Sequence, residues 1–117
     1  MRNIKDKKTL SLTQAEKQAL SELLSFLKTK WSLARFILFG SKVRGTSDKE
    51  SDLDLLIILP CKVTEGIRRQ IIHKVFEVNL ACGSNISILI VSAEEWEKGA
   101  ISVLPIHAFI EEEGVSL

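Results

Sequence analysis

Two short groups of residues near the middle of the chain have the types and spacing that chemistry on phosphates would need. Asp52 and Asp54 flank a single leucine at the start of an apolar run, and Gly40 with Ser41 ends an earlier apolar run. Because side chains alternate along a strand, both aspartates should project from one face, where their charges repel unless a cation lies between them. Mg²⁺ or Mn²⁺ would answer this need, since Mg²⁺ prefers oxygen ligands and completes its shell with water and substrate phosphates.

The Gly40-Ser41 pair is suited to the phosphate side of such a site. Glycine permits a close approach of the backbone, and a helix that starts just after it would point N–H groups at an anion. The hydroxyl of Ser41 adds a donor, and Arg44 could neutralise further negative charge. For Arg44, Lys42 and Asp48, solvated loop charges and a role in phosphate or acceptor binding remain equal alternatives.

The spacing of these groups resembles a known signature. Gly40-Ser41, ten intervening residues and Asp52-Leu53-Asp54 resemble the G-S-x10-D-x-D motif of the nucleotidyltransferase superfamily that includes DNA polymerase beta. The small size is similar to that of the minimal nucleotidyltransferases of bacteria and archaea. The pair Arg44-Gly45 and the ending Glu113-Gly114-Val115 are similar to the family pattern too, so the resemblance covers most of the chain.

The resemblance implies transfer of a nucleoside monophosphate from a nucleoside triphosphate, with ATP favoured, to an acceptor hydroxyl. Asp52 and Asp54 would hold the metal, while Gly40, Ser41 and Arg44 would bind the nucleotide. Family members of this size commonly act with a separate helical partner of the HEPN type, and some modify it as the antitoxin of a toxin pair. The resemblance therefore implies a helical partner protein, and a homo-oligomer remains open.

One departure from the family pattern opens an alternative. Active members carry a third carboxylate on the next strand, whereas this strand reads Ile86-Ser87-Ile88-Leu89-Ile90-Val91, with Ser87 at the expected position. A hydroxyl is a poor base at neutral pH, and loss of the base would cost roughly 10²–10⁴ in rate. Glu77 on the preceding helix is the nearest substitute in sequence. The alternative is a catalytically weak or inactive module that acts by binding a helical partner.

Composition excludes several other classes of protein. The chain has 117 residues with 45% hydrophobic content, which predicts one domain over residues 1–117. A formal net charge of +1 gives no general attraction for nucleic acid, so direct binding of nucleic acid is disfavoured. Cys61 and Cys82 are too few for a disulfide framework, and no apolar run is long enough to span a membrane, so a reducing cytoplasm is expected.

The pattern of apolar residues predicts the elements that must position these groups. An α/β domain is expected, with a small mixed β-sheet flanked by helices in a polymerase beta-like nucleotidyltransferase fold. Residues 1–10 are expected to be frayed, and residues 46–51 to form a surface loop. The predicted helices cover residues 14–30, a short turn from Lys42, 65–81, a short segment carrying Trp96 up to Gly99, and 105–113; the predicted strands cover 34–39, 52–59 and 86–91.

Several other side chains have competing interpretations. The two tryptophans and two histidines are expected to be structural or surface residues rather than stacking platforms or ligands. The apolar residues Ile106, Phe109 and Ile110 on the last predicted helix could serve a partner or close the core.

Overall fold

The computed structural model describes residues 2–3, 12–44 and 52–117. The two long helices lie where the sequence predicts them, and the three longer strands differ from the prediction by one residue at one end each. In chain order the elements are β1 (Arg2–Asn3), α1 (Gln14–Lys30), β2 (Arg35–Phe39), α2 (Ser41–Arg44), β3 (Leu53–Leu59), α3 (Glu65–Cys82), β4 (Ile86–Ser92), α4 (Ala93–Lys98), a 3-10 helix (Ala100–Val103), α5 (Pro105–Glu113) and β5 (Val115–Ser116).

The strands form one mixed sheet in the order β1-β5-β2-β3-β4. Strand β2 pairs antiparallel with β3, and β3 pairs parallel with β4 through the crossover helix α3. The predicted α/β architecture with a small mixed sheet is therefore confirmed. The antiparallel pairing brings the end of β2 beside the start of β3, which is the end of the sheet where Asp52 and Asp54 lie.

Each face of the sheet is covered by a different pair of helices. Residues Leu55 and Ile57 of β3 pack in one buried cluster with residues of α1 and α3. Residues Leu56 and Ile58 pack in a second cluster on the opposite face, with Trp96 of α4 and Ile110 of α5. Because side chains alternate along β3, Asp54 projects toward the α4 and α5 face.

The long helices begin at side-chain caps. Thr13 and Glu16 form a capping box at the start of α1, in which Glu16 N donates to Thr13 Oγ1 at 3.1 Å and Thr13 N donates to Glu16 Oε1 at 2.9 Å. Thr64 accepts from Ile67 N at 3.2 Å at the start of α3. Gly83, at a φ of 67°, ends α3 in the left-handed conformation that glycine adopts most readily.

Three features differ from the sequence prediction. The last strand, β5, pairs antiparallel with β2 and was not predicted, nor was the 3-10 helix. Arg2 and Asn3 were expected to be frayed but pair parallel with Val115 and Ser116, because β2 pairs with only one edge of β5 and leaves the other edge to β1. The predictions for residues 4–10, Gly45, Asp48 and the 46–51 loop lie outside the described residues.

No helix in the described ranges combines the length and apolar character needed to cross a bilayer.

Candidate functional site

The two groups of residues singled out by their chemistry meet at one end of the sheet. Phe39, the last residue of β2, is paired in register with Asp54 of β3. Gly40 follows Phe39 directly, and Asp52 immediately precedes β3. The antiparallel pairing of β2 with β3 is thus what brings the glycine turn to the aspartates.

Gly40 touches Asp54 so closely that no side chain fits between them. Its φ is 88°, a backbone conformation that other residues rarely adopt. A Cβ atom built on Gly40 would collide with Asp54 Oδ2 and would lie 3.2 Å from Asp54 Cγ. The backbone of the turn therefore lies against a carboxylate oxygen, a contact within the protein that the sequence did not predict.

Helix α2 starts at once after this turn. The carbonyl oxygen of Gly40 accepts from Val43 N at 3.1 Å and from Arg44 N at 3.2 Å, which fixes the first turn. Ser41 is the first residue of α2 and is half-buried. The start of this helix is consequently placed beside the aspartates.

The electrostatics of the aspartates favour a bound cation. Burial raises the pKa of Asp54, the charge of Asp52 raises it further, and Arg44 acts in the opposite direction. The two carboxylates therefore repel each other while one is partly desolvated. Among the described residues no three His, Cys, Asp or Glu side chains form a group that could hold a metal ion. The two carboxylates offer oxygen donors, which are the ligands that a hard cation such as Mg²⁺ prefers beside water and substrate oxygens.

Arg44 lies near this charge cluster but is held loosely. Its side chain is 49% exposed, and Nη1 lies 3.6 Å from Glu113 Oε2 on α5. An exposed pair of this kind contributes about 0–1 kcal/mol, so Glu113 does not prevent Arg44 from turning to another anion.

Lys42 is neither a solvated charge nor a phosphate ligand, which corrects both alternatives left open by the sequence. Its side chain is 2% exposed, and Nζ lies 3.3 Å from Glu16 Oε2, itself 7% exposed. Since Glu16 also caps α1, this buried pair ties the first turn of α1 to α2. Its signal in the sequence was weak, because one lysine inside a charged loop looks like a surface residue.

Strand β4 supplies the third side of the site. Ser87 is exposed and is paired in register with Asp54, so β4 presents a hydroxyl opposite that carboxylate. Sequence reasoning missed Asn85, whose Nδ2 donates to Asp52 Oδ1 at 2.5 Å. The carbonyl oxygen of Asn85 also accepts from Leu53 N at 3.0 Å. Because Asn85 and Asp52 are 33 residues apart, only the parallel pairing of β3 with β4 reveals this contact.

The side chain of Asn79 on α3 holds the residues on both sides of Asn85 by hydrogen bonds. Asn79 Oδ1 accepts from Ile86 N at 3.0 Å and from Ser84 Oγ at 2.9 Å, while its Nδ2 donates to Ile86 O at 3.2 Å. These bonds hold the entrance to β4 independently of the side chain of Asn85.

Glu77 cannot replace the missing carboxylate. Helix α3 packs on the face of the sheet opposite to Asp54, as its cluster with Leu55 and Ile57 shows. The carboxylate of Glu77 is 58% exposed and lies 3.3 Å from His73 and 3.6 Å from Lys74 on the same helix. Glu77 is therefore a solvated helix charge.

The tryptophan and histidine between α4 and α5 are structural, as expected. Trp96 is buried, its ring stacks on His107 with centroids 4.1 Å apart, and its Nε1 donates to Glu111 at 3.0 Å. These contacts join α5 to α4, and Trp96 and Ile110 of the two helices pack in one cluster on the sheet.

Comparison with known proteins agrees with the motif. The sequence model of a family described as "Nucleotidyltransferase domain" matches residues 20–113, which is most of the chain. A protein of Methanocaldococcus jannaschii named "Putative protein adenylyltransferase MJ0604" is 42% identical over 45 residues, a match that spans 37% of this chain and 45% of that protein. This chain therefore matches less than half of that relative.

A solved structure is similar in fold. The chain superposes with a TM-score of 0.55 and 16% identity on a chain from a crystal structure of a toxin-antitoxin with AMP-PNP, covering 86% of this chain and 70% of that one. At this identity the likeness concerns the fold, and it supports the nucleotidyltransferase fold that the motif predicts.

Proposed function

Because the chain belongs to the nucleotidyltransferase domain family, we propose that it binds a nucleoside triphosphate with Mg²⁺ or Mn²⁺ and transfers the nucleoside monophosphate to an acceptor hydroxyl. The observation that carries this proposal is the contact between the Gly40 turn and the carboxylate of Asp54. That contact places the backbone of the turn that would bind phosphate beside a carboxylate that would hold the cation. ATP is the favoured nucleotide, in agreement with the adenylyltransferase name of one relative.

The acidic residues of the site would bind the cation, and its donor and basic groups would bind the phosphates. Asp52 and Asp54 would hold the divalent cation, which when bound offsets the charge of the phosphates during transfer. The backbone at Gly40 and the hydroxyl of Ser41 would donate hydrogen bonds to the phosphates, and Arg44 would add a positive charge at their outer side. Position and charge neutralisation supply most of the catalysis in phosphoryl transfer, and these residues are of the types that provide both.

A helical protein of the HEPN type is the acceptor that we propose. One structural neighbour is a chain of a toxin-antitoxin, and one relative is named as a protein adenylyltransferase, so an acceptor hydroxyl on a protein is consistent with both. In such a pair this chain would act as the antitoxin by modifying its partner.

A second candidate is a catalytically silent module that binds nucleotide and partner without transfer. The register of β4 favours it, because the residue opposite Asp54 is Ser87 and Glu77 lies on the far face of the sheet. Without a base the transfer rate would be lower by roughly 10²–10⁴. Nucleotide binding does not need that base.

Incubation with ATP labelled at the α-phosphate, Mg²⁺ and the protein encoded beside this chain separates the two candidates. Label transfer that is lost in Asp52→Asn and in Asp54→Asn supports the enzyme. A stable unlabelled complex that survives both substitutions supports the silent module.

Ser87→Asp supplies the complementary test. This exposed position faces Asp54, so the new carboxylate should raise a weak transfer activity by roughly 10²–10⁴ if the missing base limits the rate. A variant that binds ATP but gains no activity would show that the base is not what limits transfer. Absence of ATP binding by the wild-type chain would refute both candidates.

A further inference from the structure

A groove of about 480 Å³ opens directly onto the Gly40 turn. It lies between the end of β2 and helix α5, on the face of the sheet toward which Asp54 projects. Its volume is within the range of roughly 300–1,000 Å³ typical of small-molecule sites. The residues that line it are Phe39, Gly40, Arg44, Ile106, Phe109, Ile110 and Glu113.

The lining of the groove changes character along its length. Gly40 and Arg44, the residues that we assign to phosphate, line one part of it. The remainder is mainly apolar and includes an aromatic ring, Phe109, that is 59% exposed. Glu113 is the acidic residue of the lining, and its exposed carboxylate lies 3.6 Å from Arg44. A ligand suited to this groove has an anionic end joined to a flat apolar end.

Phe109 is exposed within a groove whose other lining residues are mainly apolar, and an apolar groove of this kind can mark a ligand site. The other described side of the phosphate turn offers no comparable wall, because β4 is an edge strand of the sheet and its Ser87 is exposed. The groove is therefore the direction in which the rest of a molecule held by its phosphates at Gly40 would find apolar cover.

We propose that this groove binds the nucleoside half of the nucleoside triphosphate, with the base stacked on Phe109. The inference rests on the proposed function, since it takes the phosphates to lie at Gly40. The base is covalently joined to the phosphates, and Gly40 and Arg44, which we assign to those phosphates, line the same groove. Stacking of a base on an aromatic side chain is worth enough to change affinity by roughly 5- to 150-fold.

The experiment compares two ligands that share the phosphates and differ in the base. Dissociation constants for ATP and for inorganic tripolyphosphate are measured by calorimetry in Mg²⁺ on the full chain and on Phe109→Ala. Phe76→Ala is the matched control, because Phe76 is 62% exposed on α3, which packs on the opposite face of the sheet. Phe109→Trp tests whether an aromatic ring suffices.

The expected result is that Phe109→Ala weakens ATP by roughly 5- to 150-fold and leaves tripolyphosphate unchanged. Phe109→Trp should retain ATP binding, and Phe76→Ala should match the wild type for both ligands. Unchanged ATP affinity in Phe109→Ala, or equal weakening of both ligands, overturns the assignment of the groove.

Three further results would separate a failure of the groove from a failure of the phosphate turn. A change of sedimentation coefficient in Phe109→Ala, with ATP affinity intact, would overturn the proposal and identify the groove as a contact between copies of the chain. Wild-type protein that binds tripolyphosphate as tightly as ATP refutes the groove assignment alone. Wild-type protein that binds neither ligand refutes the proposed function itself.

Discussion

Substitution of Gly40 by alanine tests the closest contact in the site. At a φ of 88° an alanine carries a backbone penalty of about 1–2 kcal/mol. Its Cβ would in addition collide with the carboxylate of Asp54. If the Asp54 carboxylate keeps its place, overpacking lowers the free energy of unfolding further, by about 1–3 kcal/mol. If the carboxylate turns aside, the loss appears as weaker ligand binding.

Gly83 provides a matched control for the backbone part of this effect. Its φ is 67°, and a Cβ built there meets no atom within 4 Å. Gly83→Ala should therefore lower the free energy of unfolding by about 1–2 kcal/mol without touching the site. For a chain of this size that corresponds to a fall in Tm of roughly 4–8 °C.

Urea unfolding and calorimetric titration with ATP and Mg²⁺ measure the two consequences separately. We expect Gly40→Ala to be at least as destabilised as Gly83→Ala. It should also bind ATP about 10-fold more weakly than wild type or worse, the lower end of the effect of disturbing a group that orients a metal ligand. Gly83→Ala should bind ATP as the wild type does. If Gly40→Ala binds ATP with wild-type affinity and unfolds at the same urea concentration as Gly83→Ala, the contact with Asp54 affects neither nucleotide binding nor stability, and the reasoning is wrong.

Three further substitutions test the electrostatics around the turn. Burial and the charge of Asp52 raise the pKa of Asp54 above its ordinary 3.8, so the folded state holds that proton more tightly, and stability falls as pH rises through the window above 3.8. Asp54→Asn should therefore show a higher Tm than wild type at pH 7 in EDTA and lose the rise in Tm that Mg²⁺ gives the wild type; a lower Tm in EDTA would contradict this. Lys42→Met should cost about 3–5 kcal/mol by leaving Glu16 buried without its partner, and a double variant with Glu16→Gln, which keeps the capping box, should recover part of that loss in urea unfolding. Asn85→Ala should weaken Mn²⁺ binding by roughly 10- to 100-fold, measured by electron paramagnetic resonance, with little change in Tm; an unaltered Mn²⁺ affinity would show that Asp52 needs no support from β4.

Elements with a repeated local signal could be predicted from the sequence. The bounds of α1 follow from the capping box at Thr13 and from leucines on one helical face, and the structure confirms Gln14–Lys30. Strand β5 has two residues, too few for any alternation to be visible, and its place beside β2 depends on tertiary contacts alone.

The candidate site was predictable in the part that one continuous stretch encodes. The motif placed Gly40, Asp52 and Asp54 together, and the pairing of Phe39 with Asp54 accounts for their proximity. The contacts that cross between elements were not visible, because no local pattern links Asn85 to Asp52. The burial of Lys42 likewise depends on Glu16, which belongs to a different helix.

The order in which the site comes together during folding follows from the pairing of β2 with β3. Phe39 and Asp54 are 15 positions apart, so closing this antiparallel pair loses little chain entropy compared with the crossover through α3. The glycine turn and the acidic strand can therefore assemble early as one local unit, and β4 would add its asparagine and serine only when the longer connection closes.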